Sequence, residues 1–294
     1  MSSYRFCRTD DIGLLVDALN RCWAPYVPGE PPATAASFKR SIRDLQVWCS
    51  SCMVAFSGPD PIGVLIGAKR PSGTLVHRIA VHPDHRRQGH ARHLLASLGS
   101  KLSILGPPRI VAEVPENLAP ACELLKASGY VQEALLTDYV LPFDPLGGAA
   151  VAQGGTGSQD PGGLVIPVSV DDLAANGLLA EAGRQVCWER SVETLTARKD
   201  DIAGLAVASD ERIEACVLYV ERGAEETEIL SLRSFLDDGG ARLKQLLSQL
   251  RARGVRSIRF PKVHPAEISK ESVETLGFSP ASSYLIYSAR AQST

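Results

Sequence analysis

The stretch Leu75–Leu95, LVHRIAVHPDHRRQGHARHLL, concentrates residue types that could do chemistry. Five of the six histidines lie in it: His77, His82, His85, His90 and His93. So do Arg86, Arg87, Gly89, Ala91 and Arg92. Many histidines would serve a metal or acid–base catalysis, whereas arginines beside a glycine would hold an anion. A metal site needs converging ligands. Here one histidine sits on a strand, two flank a turn and two open a helix, and no Asp/Cys/His set elsewhere completes a site. No metal is expected. An anion site needs less. Residues 75–82 read as a buried strand, Pro83-Asp84 breaks it, and a helix begins within Arg86-Arg87-Gln88-Gly89-His90-Ala91. The first amides of a helix are free and its dipole adds positive potential. Gly89 lets the backbone approach a phosphate, Ala91 avoids a clash, and Arg86, Arg87 and Arg92 supply charge suited to a pyrophosphate or 3′-phosphate. On this reading His82, His85, His90 and His93 are polar, solvent-facing positions. His77 stays a candidate catalytic group.

The remaining composition sets the frame. The 294 residues are enough for two domains, 45% are hydrophobic, and the net charge is −2. Nothing global points to nucleic acid or an anionic membrane. No apolar run is long enough to span a bilayer, and the first residues, MSSYRFCRTDDIG, carry no secretory signature, so a cytoplasmic protein is expected. Seven scattered cysteines then read as reduced core thiols, and Cys49-Ser-Ser-Cys52 alone is weak evidence for zinc or redox work.

Residues 144–163, DPLGGAAVAQGGTGSQDPGG, contain seven glycines and read as a flexible linker spanning roughly 25 Å. It divides the chain into residues 1–143 and 164–294, and the two sides look like one plan written twice. Each opens with a strand (YRFCRT, LVIPVS). Asp10-Asp11 or Asp171-Asp172 then caps a helix. Cys22-Trp23 or Cys187-Trp188 and a second short helix follow, then three strands. A glycine-containing loop leads to a helix with a leucine stripe: Leu94, Leu95, Leu98, Leu102, or Leu243, Leu246, Leu247, Leu250. A strand, a helix ending at Gly129-Tyr130 or Gly277-Phe278, and a closing strand complete each side. The order β-α-α-β-β-β-α-β-α-β predicts an α/β fold whose mixed, mostly antiparallel sheets are flanked by helices.

IAVHPDHRRQGHARHLL resembles the acyl-CoA-binding signature of the GNAT N-acetyltransferases: a strand ending Ala-Val-x-Pro, then (Arg/Gln)-x-x-Gly-x-(Gly/Ala), then a helix. Arg86, Gly89 and Ala91 fill the defining positions, and the duplicated order extends the resemblance to a tandem-GNAT architecture. The resemblance implies acetyl-CoA or another acyl-CoA as co-substrate. Amides of Gln88, Gly89, His90, Ala91 and Arg92 would hold its pyrophosphate. The strand at Ile79, Ala80 and Val81 would diverge from that at Ile110–Val114, and a backbone N–H near Ile79 or Val81 would polarise the thioester. The acceptor would be a primary amine of a small molecule or peptide. Glu113, in RIVAEVPEN, resembles the base of ribosomal-protein N-terminal acetyltransferases. The family tyrosine four residues before the Gly-aromatic pair is replaced by Leu125, so Tyr139 or water would stand in as acid. Asn117 sits one place earlier than the family asparagine. In the second half, Gly239 and Ala241 match the turn, but Leu236 replaces its arginine and Asp237 and Asp238 bring negative charge, so a degenerate domain is expected. Trp23, Tyr26 and Trp188 would line the acceptor site or anchor the early helices. A non-catalytic acyl-CoA-binding protein is the alternative. A monomeric pseudo-dimer and a homodimer are both compatible with two joined halves.

Overall fold

The computed structural model describes residues 2–143, 163–180 and 185–292. The glycine-rich segment expected to be a linker lies outside them, apart from Gly163. Two compact units account for the chain: residues 1–134 with 284–294, and residues 135–283.

The first unit follows the expected order. It contains β1 (Ser2–Phe6), α1 (Ile12–Cys22), α2 (Ala35–Leu45), β2 (Met53–Ser57), β3 (Asp60–Arg70), β4 (Gly73–Val81), α3 (His90–Leu105), β5 (Arg109–Pro115) and α4 (Ala119–Ala127). Strands β1 to β4 pair antiparallel in sequence order, and β4 pairs parallel to β5. The leucine stripe of α3 and Cys122 and Leu125 of α4 pack on one face with Met53, Leu65, Val76 and Ile110. On the other side α1 and α2 bury Leu15, Leu19 and Phe38.

Strand β6 (Val131–Pro142) leaves the first unit, and its residues from Leu135 onward belong to the second. There follow β7 (Leu164–Pro167), α5 (Val170–Ala175), α6 (Val192–Ala197), β8 (Ala203–Ala208), β9 (Ile213–Glu221), β10 (Glu226–Ser234), α7 (Ala241–Ala252), β11 (Ser257–Val263), α8 (Lys270–Thr275) and β12 (Ser279–Arg290). β7 to β10 again pair antiparallel in order, and β10 runs parallel to β11.

The closing strands depart from expectation. Each half was read as ending in its own last strand. Instead β6 pairs antiparallel with β11, with Leu141 opposite Ile258 and Tyr139 opposite Phe260. Likewise β12 pairs antiparallel with β5, with Leu285 opposite Val114 and Ile286 opposite Glu113. The halves exchange their final strands. Both centre on a short apolar run, Tyr139–Leu141 and Tyr284–Tyr287, so nothing local tells a strand which sheet to join.

Two smaller expectations also change. Asp11 stands at the start of α1 but makes no cap hydrogen bond; its carboxylate takes both amino groups of Arg5 at 2.9 Å and the Arg8 amide at 2.7 Å. In the second half Ser169 is the cap, in a reciprocal box with Asp172. The seven cysteines form no disulfide, and all are buried. Burial pushes the Cys7 thiol up to about 12 and raises Cys49, the opposite of what a redox thiolate needs. Cys49–Ser51 form a short turn pressed on β3, where a Cβ on Gly67 would lie 2.5 Å from the Ser51 carbonyl oxygen.

Candidate active site

The opening stretch builds one end of the first unit. Strand β4 hydrogen-bonds to β3 along its length but pairs with β5 only at Thr74–Ile110 and Leu75–Val111. Beyond Leu75 the two strands part. The His82 amide donates to Ile62 O at 2.8 Å, which fixes the alternation of the β3–β4 ladder. By that alternation the N–H and C=O of Ile79 and Val81 point away from β3, into the gap. Ala80 turns its backbone to β3 instead, and so is not a free edge donor. The Val81 carbonyl accepts a 2.7 Å bond from the Tyr26 hydroxyl, which confirms its direction.

The turn after β4 carries two left-handed residues, Arg87 (φ 60°) and Gly89 (φ 86°). Gly89 is the N-cap of the 16-residue α3, and no side chain caps that helix. The amides at its start therefore lack an intramolecular acceptor from a side chain, as an anion cradle requires. A Cβ on Gly89 would meet nothing within 4 Å, so space in front of the cradle is open. Arg86, Arg87, Gln88 and Arg92 are exposed, and the Arg86 guanidinium lies over the Tyr26 ring, 5.6 Å from its centroid.

The β3–β4 register slips at one point. Ile66 faces Arg78 and Gly67 faces Val76, so His77 is an extra residue. A bulge re-aims side chains, and here the consecutive His77 and Arg78 both line one cavity of about 330 Å³. Its apolar wall includes Leu19, Phe38 and Ile66. On β5, Ile110, Ala112 and Val114 pack toward α3 and α4, so Glu113, half-buried, points to the opposite face, the one carrying α1 and α2. The structure thus brings His77 and Glu113 to the same side of the sheet. Asn117 is exposed in the turn after β5.

Two placements correct the sequence reading. Tyr139 is 4% exposed in the apolar core of the second unit, beside Phe260 and Val217, because β6 joins β11. It is withdrawn as a proton donor. Leu125, at the position of the missing tyrosine, is core. His90 is not a solvent-facing residue: it is 5% exposed and shares a 2.6 Å hydrogen bond between Nδ1 and the Tyr4 hydroxyl, while Nε2 is buried without a partner. His93 does remain exposed, its ring tilted 37° against that of Tyr4 with centroids 3.8 Å apart. Desolvation, reinforced by His85 and His93, lowers the His90 pKa. Its folded value thus lies below the unfolded one, so the unfolded chain takes up the proton first and stability falls as pH drops below about 6.5. Melting curves of wild type and His90→Leu should diverge over that range, with the variant losing less stability toward acid.

The second unit has kept the geometry and filled it. Its helix α7 starts after Gly239 (φ 62°) and Gly240 (φ 83°), and the N-cap is Gly240, one residue later than the motif placed it. Asp238 accepts from the amides of Gly240 and Arg242, both at 2.9 Å. A carboxylate of the chain itself thus takes the donors that a phosphate would use. The first turn's only arginine, Arg242, is bound to Glu214 at 2.7 Å. Trp188 is buried, whereas Trp23 lies against Arg78 and Tyr26 is exposed at the gap. Among the described residues no three His, Cys, Asp or Glu side chains converge on a point, and no helix is long and apolar enough to cross a membrane.

Residues 15–130 match the acetyltransferase (GNAT) family. Across the whole chain the fold is similar to that of a tandem GNAT protein from the clavulanic acid biosynthesis pathway, at 16% identity and a TM-score of 0.64, with 100% of each chain covered. The chain as a whole has the tandem GNAT fold. Two further solved structures are similar. One is a GCN5-related N-acetyltransferase from Sphaerobacter thermophilus (14% identity, TM-score 0.64, 99% of this chain and 96% of the other). The second is a putative acetyltransferase from Pyrococcus horikoshii (16%, TM-score 0.62, 99% and 90%). At these identities the structures share the fold. No curated protein matches the sequence. The GNAT fold supports acyl-CoA-dependent acetyl transfer as the general activity. The residues that sequence reasoning missed are Arg78 and Glu30; a charged residue inside the apolar strand TLVHRIAV was the available signal.

Proposed function

We propose that the first unit is an N-acyltransferase that takes acetyl-CoA and a primary amine of a small molecule or peptide, and that the second unit carries no cofactor. One observation carries this reading: the β4 edge at Ile79 and Val81 opens in front of the uncapped start of α3. These residues fit an acyl-CoA. The amides from Gln88 to Arg92, with Arg86 and Arg87, would hold the pyrophosphate, and the Ile79 and Val81 edge would hold the pantetheine. Asn117 would contact the cofactor from the turn after β5.

Acyl-CoA, when bound, supplies the activated carbonyl. The N–H of Ile79 or Val81 would polarise it. A C–N bond forms to the amine, the C–S bond breaks, and the amine proton passes by way of Glu113 or His77 to the departing thiolate. That thiolate, with a pKa near about 8.5, leaves without the missing tyrosine. A cytoplasmic location and a linker at 144–163 belong to the same proposal, with either a monomer or a homodimer as its assembly.

Leu125 in the core favours a second reading, in which the unit binds acyl-CoA without turnover. Calorimetry with acetyl-CoA and CoA release with a panel of amines and peptide N-termini separate the two. Glu113→Gln should lower turnover about 100-fold at unchanged acetyl-CoA affinity, as expected for loss of a general base. Undiminished turnover would leave His77 as the candidate. Binding without CoA release for every amine would establish the second reading.

A further inference from the structure

The cavity beside the bulge carries an arginine, Arg78, with a single polar contact to the protein. Arg78 lies over the Trp23 ring, 5.1 Å from its centroid, and one amino nitrogen contacts Glu30 Oε2 at 3.2 Å. Glu30 Oε2 also accepts from Trp23 Nε1 at 3.3 Å. The stack and the carboxylate fix the guanidinium plane. Its other amino group and Nε make no hydrogen bond among the described residues. A planar fork held at one edge and open at the other is preorganised for a carboxylate.

Position adds a constraint. The charged or titratable side chains lining this cavity are Glu30, His77 and Arg78. Because of the bulge, Arg78 and the candidate base His77 are neighbours on one wall. A carboxylate on Arg78 and an amine facing His77 must therefore be close together in the acceptor. The rest of the wall, Leu19, Phe38 and Ile66, is apolar, and about 330 Å³ is at the small end of ligand sites, which run from about 300 to 1,000 Å³.

We propose that the acceptor is a free α-amino acid with an apolar side chain, its carboxylate held by Arg78 and its α-amine presented to His77. Arg78 is then the specificity-determining residue, and Glu30 with Trp23 are positioning residues. The inference rests on the acyltransferase reading. The transfer is balanced as above: the α-nitrogen gains the acyl group, CoA leaves as the thiol, and one proton moves from the amine to sulfur. A peptide N-terminus lacks the adjacent carboxylate and is excluded by the same argument.

The test compares L-leucine, leucyl-glycine and isopentylamine as acceptors for the full chain with acetyl-CoA. Leucine should be favoured about thirtyfold in kcat/KM over both others, the scale of one charge-assisted hydrogen bond. Arg78→Gln should remove about thirtyfold from leucine, chiefly through KM, and leave isopentylamine and acetyl-CoA affinity unchanged; Arg78→Lys should fall between. Equal or better use of leucyl-glycine or isopentylamine overturns the proposal, as does an unchanged leucine KM in Arg78→Gln. If acetyl-CoA does not bind, the acyltransferase reading fails. Calorimetric titration of leucine into wild type and Arg78→Gln still decides the carboxylate site, and no binding to wild type overturns it.

Discussion

Replacing Gly89 with glutamate is expected to weaken acetyl-CoA binding more than 1,000-fold while the protein stays folded. Gly89 is at φ 86°, where an L-residue loses about 1–2 kcal/mol. A Cβ there meets nothing within 4 Å, so the loss is not steric. The larger part is electrostatic. Two unit charges about 5 Å apart at an effective dielectric of about 20 repel by roughly 3 kcal/mol, and the pyrophosphate carries more than one charge. Gly89→Ala separates the contributions: it keeps the backbone strain without the charge and should lower affinity by about tenfold. Isothermal titration with acetyl-CoA measures both. Wild-type affinity in Gly89→Glu would remove the α3 start from the cofactor site.

The second large effect is on stability. Arg190 donates to both Glu267 oxygens, at 2.8 and 2.5 Å, and to the Lys262 carbonyl at 3.1 Å, and lies over the Phe260 ring. The two side chains are 1% and 5% exposed. Burial alone would lower the Arg190 pKa, but the attraction of Glu267 outweighs it and the net shift is upward. Glu267→Ala strands a buried cation, so it should destabilise the protein by about 3–5 kcal/mol. Replacing both partners with apolar residues of similar volume should recover most of that loss. Urea unfolding followed by far-UV circular dichroism tests this. A single variant within about 1 kcal/mol of wild type would show that water reaches the pair.

What could be read from sequence was what local chemistry determines. The turn around Gly89 was legible because a left-handed glycine, a small residue and a helix start depend on neighbours in the chain. The bulge at His77 was not, since it exists only in the register between β4 and β3. His90 looked solvent-facing because the group that buries it, Tyr4, comes from a strand 86 residues away. Asp238 was read as repelling a phosphate; the structure shows it bonded to the amides a phosphate would need. Tyr139 was misplaced for the reason that β6 was: two strands with similar apolar centres can trade sheets without any change in their own sequence.

That trade also has a consequence for biosynthesis. The strand bearing Glu113 is completed on one side by residues 284–290. A ribosome adding about 5–20 residues per second reaches them on the order of ten to thirty seconds after it has made β5. Until then the nascent first unit presents β5 as an open edge, the kind of surface that pairs with strangers. The candidate active site is therefore completed only once β12 has been made, well after the other strands of its own unit.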